Sequence, residues 1–185
     1  MEPIRAERAT VTFFDGLTVE GYRMPDGEFR VGVEGASLVL GYAGNWLYRT
    51  LTRSGNKTLK ALQGLGFDAY TIPATVDRPQ GGTAKVDTIS LRNFNRLIAY
   101  SVFDGKRAAL ALQLALTEVA LNDFFRDAFG EPPLSIDEKR QLFYETYAAT
   151  ISPEEWRQMD REDILRIAIM GEGNRRDEIE EGFLE

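Results

Sequence analysis

The run KRAALALQLALTEVALNDFFRDAF, residues 106 to 129, constrains the fold more than any other stretch. Its composition predicts one long helix. Leu110, Leu114, Leu121 and Phe125 form one stripe, but Leu112, Leu116, Val119 and Phe124 spread around the cylinder. A helix with so much apolar circumference has to be covered on most sides, by the rest of the chain or by a partner chain. A homodimer is therefore an expectation.

The segments before it supply candidate cover. Residues 11 to 33 read as strands: VTFF, then GLTVEGYRM, then EFRVGV after the turn Pro25-Asp26-Gly27. Alternation at Leu17 and Val19, and again at Phe29, Val31 and Val33, fits half-buried strands joined in a hairpin. Short helices are expected from ASLVLG, ending at Gly41, then over Asn45 to Thr52 and Thr58 to Leu65. AYTIPATV and KVDTISL make a second hairpin around the Pro/Gly-rich loop DRPQGGTA. Ser90 is placed to cap a helix from Leu91 to Phe103, which Asp104-Gly105 ends. Gly130-Glu131-Pro132-Pro133 marks a boundary. Beyond it, Ser135 with Glu138 and Ser152 with Glu155 form two capping boxes, predicting helices over Ile136 to Thr150 and Pro153 to Met170. The fold class expected is α+β: two β-hairpins, helix-turn-helix-like helices and a long apolar helix, with a small helical C-terminal appendage. Its parts are a domain at 1–130, an acidic helical hairpin at 131–170 and a mobile charged tail at 171–185.

Chemistry is narrowed by what the chain lacks. With no cysteine and no histidine, disulfides, thiolate nucleophiles, Cys/His zinc sites and imidazole bases are excluded. No cofactor, metal or catalytic residue is expected. Asp26, Glu28 and Arg30 have the residue types of a metal-dependent nuclease, yet they sit in one tight turn where such a site needs carboxylates on separate strands. The N-terminus MEPIRAERATV has no apolar signal core, and no stretch of about 18 uninterrupted apolar residues occurs. A cytoplasmic protein with no membrane partner is the expectation.

The net charge of -7 hides an uneven distribution. Residues 1–115 carry 14 Lys+Arg against 11 Asp+Glu; residues 116–185 carry 8 against 18. Binding depends on the field at one face, so cations in the first part can still form a patch. Arg49, Arg53 and Lys57 recur every four residues in LGYAGNWLYRTLTRSGNK. The preceding EGASLVLGYAGNWLYRTL has a helix-turn-helix outline: small residues Ala36 and Ser37, Gly41 at the turn, and Leu47 to lock the second helix. Any compact helical hairpin asks for similar residues. If the second helix enters a DNA groove, Asn45, Tyr48, Arg49 and Arg53 face outward, and Asn and Arg match adenine and guanine edges. Lys57 and Lys60 suit phosphates. Arg78 and Lys85 flank the second hairpin tip, which can act as a wing or be a tip of no function. Arg92 and Arg96 extend that surface or pair with Asp87 and Glu118.

The order of hairpin, FRVGVEGASLVLGYAGNWLYRTL, second hairpin and TISLRNFNRLIAYSVFDGKRAALALQLALTEVALNDFF resembles the N-terminal domain of baculovirus repeated-ORF proteins and phage antirepressors, with Leu40-Gly41-Tyr42 at the motif position. It is similar too to small proteins frequent in cyanobacteria. The resemblance covers about residues 13 to 129. It implies binding to double-stranded DNA in the control of phage or mobile elements. A protein-interaction adaptor or inhibitor using the acidic C-terminal helices is the rival expectation.

Overall fold

The computed structural model describes residues 4–53 and 55–151. The second capping box, the helix expected over 153–170 and the tail at 171–185 lie outside the described residues. Six strands run β1 (Ile4–Arg5), β2 (Glu7–Phe14), β3 (Leu17–Arg23), β4 (Phe29–Gly32), β5 (Ile72–Asp77) and β6 (Thr83–Ser90). Six helices run α1 (Val33–Val39), α2 (Trp46–Thr52), α3 (Lys57–Gly64), α4 (Leu91–Phe103), α5 (Arg107–Ala128) and α6 (Ile136–Ile151). The fold is α+β, as the sequence pattern leads one to expect.

Both expected hairpins form and share one mixed sheet in the order β1-β5-β6-β4-β3-β2. At Pro25-Asp26-Gly27 the Asp26 carboxylate accepts the Glu28 amide at 2.9 Å, and Gly27 takes φ 89°. This is the left-handed geometry glycine tolerates at no cost. The second hairpin is tighter than the sequence implies: strand pairing continues to Asp77↔Thr83, and Arg78 N donates to the Gly82 carbonyl at 2.9 Å. The two hairpins join where β4 pairs antiparallel with β6, Val31 opposite Ile89.

Period-two alternation sorts the strand residues onto two faces. Leu17, Val19, Val31 and Ile89 belong to the main core with α1, α4, α5 and α6, while Tyr22, Met24, Ala74 and Val76 form a smaller cluster. Their opposite parity puts that cluster on the other face of the sheet. Helix boundaries follow local chemistry. Ser90 Oγ accepts the Asn93 amide at 3.1 Å to start α4; Ser135 and Glu138 exchange the two bonds of a capping box at 2.8 and 3.2 Å to start α6.

At Gly130 to Pro133 the chain leaves α5 and reverses, Gly130 taking φ 71°. α6 folds back along α5 and contributes Phe143, Tyr147, Ala148 and Ile151 to the main cluster. Phe13 stacks on Phe143 at 5.1 Å, and Phe14 lies 5.2 Å from Tyr144 and 5.5 Å from Tyr147. An aromatic face at helical spacing, rather than the acidity of this segment, decides where it goes.

Among the described residues, α5 is the helix long and apolar enough to cross a membrane, by length and composition only. Its N-terminal half is instead sunk among α4 and α6, with Ala108, Ala109, Ala111, Leu112 and Ala115 at 0 % exposure. Its C-terminal half is open, and Phe124, Phe125 and Phe129 are 75, 66 and 80 % exposed.

Candidate nucleic-acid interface

The helices α1 and α2 cross at Ser37 and Leu47. Ser37 is buried and donates its hydroxyl to the Val33 carbonyl at 2.9 Å, one turn back in α1. The same oxygen accepts the Leu47 amide at 3.3 Å. A small side chain lets the helices approach, and the Leu47 side chain, at 0 % exposure, fills the space beneath. Gly41 between them takes φ 83°, and Tyr42 N bonds back to the Ser37 carbonyl at 3.0 Å. A second fastening lies beside it. Tyr42 stacks on Trp46 at 3.8 Å with the planes 8° apart, and Trp46 stands 6.3 Å from Tyr100. The Tyr42 hydroxyl donates to Asp104 at 2.9 Å, and burial above all pushes its phenol well above the usual range. The stack joins a residue of the α1–α2 turn to the first residue of α2, and no helical spacing in the sequence announces it.

These contacts fix which side of α2 is covered. Leu47 and Thr50 are buried, Trp46 and Leu51 half-buried, and Asn45, Tyr48, Arg49 and Thr52 exposed. Helical periodicity thus brings Asn45, Tyr48 and Arg49 onto one outward face, as expected. Asn45 stands at the N-cap without a side-chain capping bond, and Tyr48 is 55 % exposed. Arg53 is the C-cap in extended backbone, where α2 ends. Lys57 and Lys60 are exposed on α3, whose N-cap Asn56 accepts the Thr58 amide at 2.9 Å.

The cations of this region have no carboxylate partner among the described residues. Between Glu34 and Asp68 the chain holds four cations and no acid. The acid that precedes them in sequence is Glu34, whose side chain packs over Gly44: a Cβ there would meet Glu34 Cγ at 3.1 Å. At the other end, hydrogen bonds from the Asn93 amide and the Tyr70 backbone hold the Asp68 carboxyl below its usual value. Arg78 and Lys85 are also exposed, but on the β5–β6 hairpin, which is a separate element from α2 and α3. Arg92 and Arg96 make no ion pair with Asp87 or Glu118.

Asp26 and Glu28 have structural partners. Glu28 receives Arg30 Nη1 at 2.9 Å, and Arg30, 3 % exposed, reaches Thr88 with Nε at 2.9 Å and Nη2 at 3.1 Å. No group of three or more carboxylates among the described residues is placed to hold a metal ion. A groove of about 750 Å³ opens between the sheet and α4, its lining including Val11, Phe29, Leu91, Phe94 and Leu116. It arises where β2 and β3 run past the helices, and no local sequence pattern announces it.

No family model, curated protein or solved structure matches the chain.

Proposed function

We propose that this is a double-stranded DNA-binding protein that docks α2 in the major groove, in transcriptional control of the kind the sequence resemblance implies. The observation that carries the reading is the outward face of α2. It presents an uncapped Asn amide, a Tyr and an Arg together, with Arg53, Lys57 and Lys60 following and no acid interposed. Asn and Arg each offer paired hydrogen-bonding atoms that match adenine and guanine edges, while lysines neutralise phosphates without reading sequence. The α1–α2 fastening supports the reading further, because a reading helix needs a fixed pose. Arg78 and Lys85 are assigned to a wing that touches backbone beyond the α2 footprint.

The adaptor reading is less favoured. Two of the acids that motivated it have internal partners: Asp123 binds Lys139 at 2.7 Å, and Glu138 caps α6.

Titration of a fluorescent random-sequence duplex across a salt series tests the proposal. Log affinity is expected to fall linearly with log salt, with a slope of roughly -4 to -5 for four to six neutralised phosphates. A chain not retained at 50 mM salt, or a slope near zero, rejects it.

A further inference from the structure

We propose that α5 pairs antiparallel with the α5 of a second copy of this chain, through the seam Leu110, Leu114, Thr117, Leu121, Phe124 and Ala128. The spacing of these six is 4, 3, 4, 3, 4, which is the a/d repeat of two helices packing knobs into holes. They occupy the side of α5 opposite the one α6 covers. On the α6 side lie buried Leu112 and Ala115, and Asp123, which binds Lys139 and accepts the Leu134 amide. On the seam, Leu114, Leu121 and Phe124 are 45, 51 and 75 % exposed. No charge lies among the six.

The extent of the face suits a second copy. Phe124 with the flanking Phe125 and Phe129 alone leave roughly 300–500 Å² of aromatic surface open per chain, at the usual 150–250 Å² per ring. With the leucines added, this approaches the ~800 Å² per partner of a stable two-fold interface. The largest apolar patch on a typical monomer is about 300–600 Å² and is often an interaction site.

The order of sizes along the seam selects the antiparallel arrangement. A two-fold axis at position 119 sets Leu110 against Ala128, Leu114 against Phe124 and Thr117 against Leu121, so a larger side chain meets a smaller one in each layer. A parallel pair would set Phe124 on Phe124 and Ala128 on Ala128. That alternates crowding with voids, and close-packed interfaces exclude both. The inference does not rest on the DNA reading, though a two-fold pair would present two copies of the α2 face.

Sedimentation of the full chain gives the first test, with twice the 20.8 kDa chain mass expected. Leu121→Glu and Phe124→Glu, both at open positions, are expected to return the single mass, while Phe103→Glu, at an equally exposed site outside α5, leaves the dimer intact. The natural chain has no cysteine, so introduced ones report cleanly. Thr117→Cys chains mixed with Leu121→Cys chains are expected to cross-link on mild oxidation, at least 10-fold more than either alone. A monomeric chain unaffected by Leu121→Glu, a dimer that survives both glutamates, self-linking by Thr117→Cys alone, or flotation with phosphatidylcholine vesicles in place of a discrete dimer would each overturn the proposal.

Discussion

The Leu47 amide bonds to Ser37 Oγ at 3.3 Å, and this contact sets the rotation of α2 about its own axis. Once Leu47 and Thr50 face inward, Asn45, Tyr48 and Arg49 must face outward. Ser37→Ala leaves the buried amide without its acceptor and is expected to cost about 1–3 kcal/mol. Leu47→Ala opens a cavity and should cost about 2–5 kcal/mol, lowering Tm by roughly 5–15 °C. Thermal unfolding of both variants measures this, and Leu47→Ala should be the weaker in stability.

Arg30 braces three strands. It bonds from β4 to Thr88 of β6, whose hydroxyl donates to the Ile72 carbonyl of β5 at 2.8 Å. Lysine cannot reproduce that planar fork. Arg30→Lys is expected to lose about 1–3 kcal/mol in denaturant titration while leaving duplex affinity within about twofold, since Arg30 is remote from the proposed face in role and buried.

Stability should fall on the acid side. Lys139 and the Leu134 amide hold the Asp123 carboxyl below its ordinary value, the Ser135 amide and hydroxyl do so for Glu138, and Asn93 for Asp68. Each folded value lies below the unfolded one, so the unfolded chain binds more protons. The contribution is therefore fully present above about pH 5 and is lost as pH falls through the folded values, below about pH 4. Without histidine, no imidazole step is expected between pH 6 and 8. Urea midpoints from pH 3 to 8 check the shape; Asp123→Asn should flatten the acid limb.

Arg78 and Lys85 are expected to act as phosphate contacts. Arg78→Ala with Lys85→Ala should lower affinity for all duplexes about equally and reduce the salt slope by up to about 2, with no change in sequence preference. A changed preference would mean that the hairpin reads bases.

What was legible in the sequence is what local chemistry decides. The Pro-Asp-Gly turn, Gly41, the Ser90 cap and the Ser135–Glu138 box all act within a few residues, and each element appears where these signals put it. The outward face of α2 was legible for the same reason, since helical period alone separates Leu47 from Arg49. Long-range pairing was not. β1 is two residues long and pairs in parallel with β5, Ile4 opposite Ala74, and nothing near residue 4 signals that partner. The joining of the hairpins through β4 and β6 is likewise a tertiary choice. The packing of α6 through Phe143 and Tyr147 against Phe14 is a third such choice, which the net charge of the segment does not signal.

The central claim is that α2 carries the contact to DNA, and the salt slope of Arg49→Ala with Arg53→Ala tests it most directly. Both side chains are exposed, so the fold should survive. The double variant is expected to bind duplex at least 10-fold more weakly at 100 mM salt, with a slope shallower by up to about 2, because a guanidinium lying in the groove also displaces condensed counterions. Unchanged affinity and an unchanged slope would contradict the account and move the interface elsewhere on the molecule.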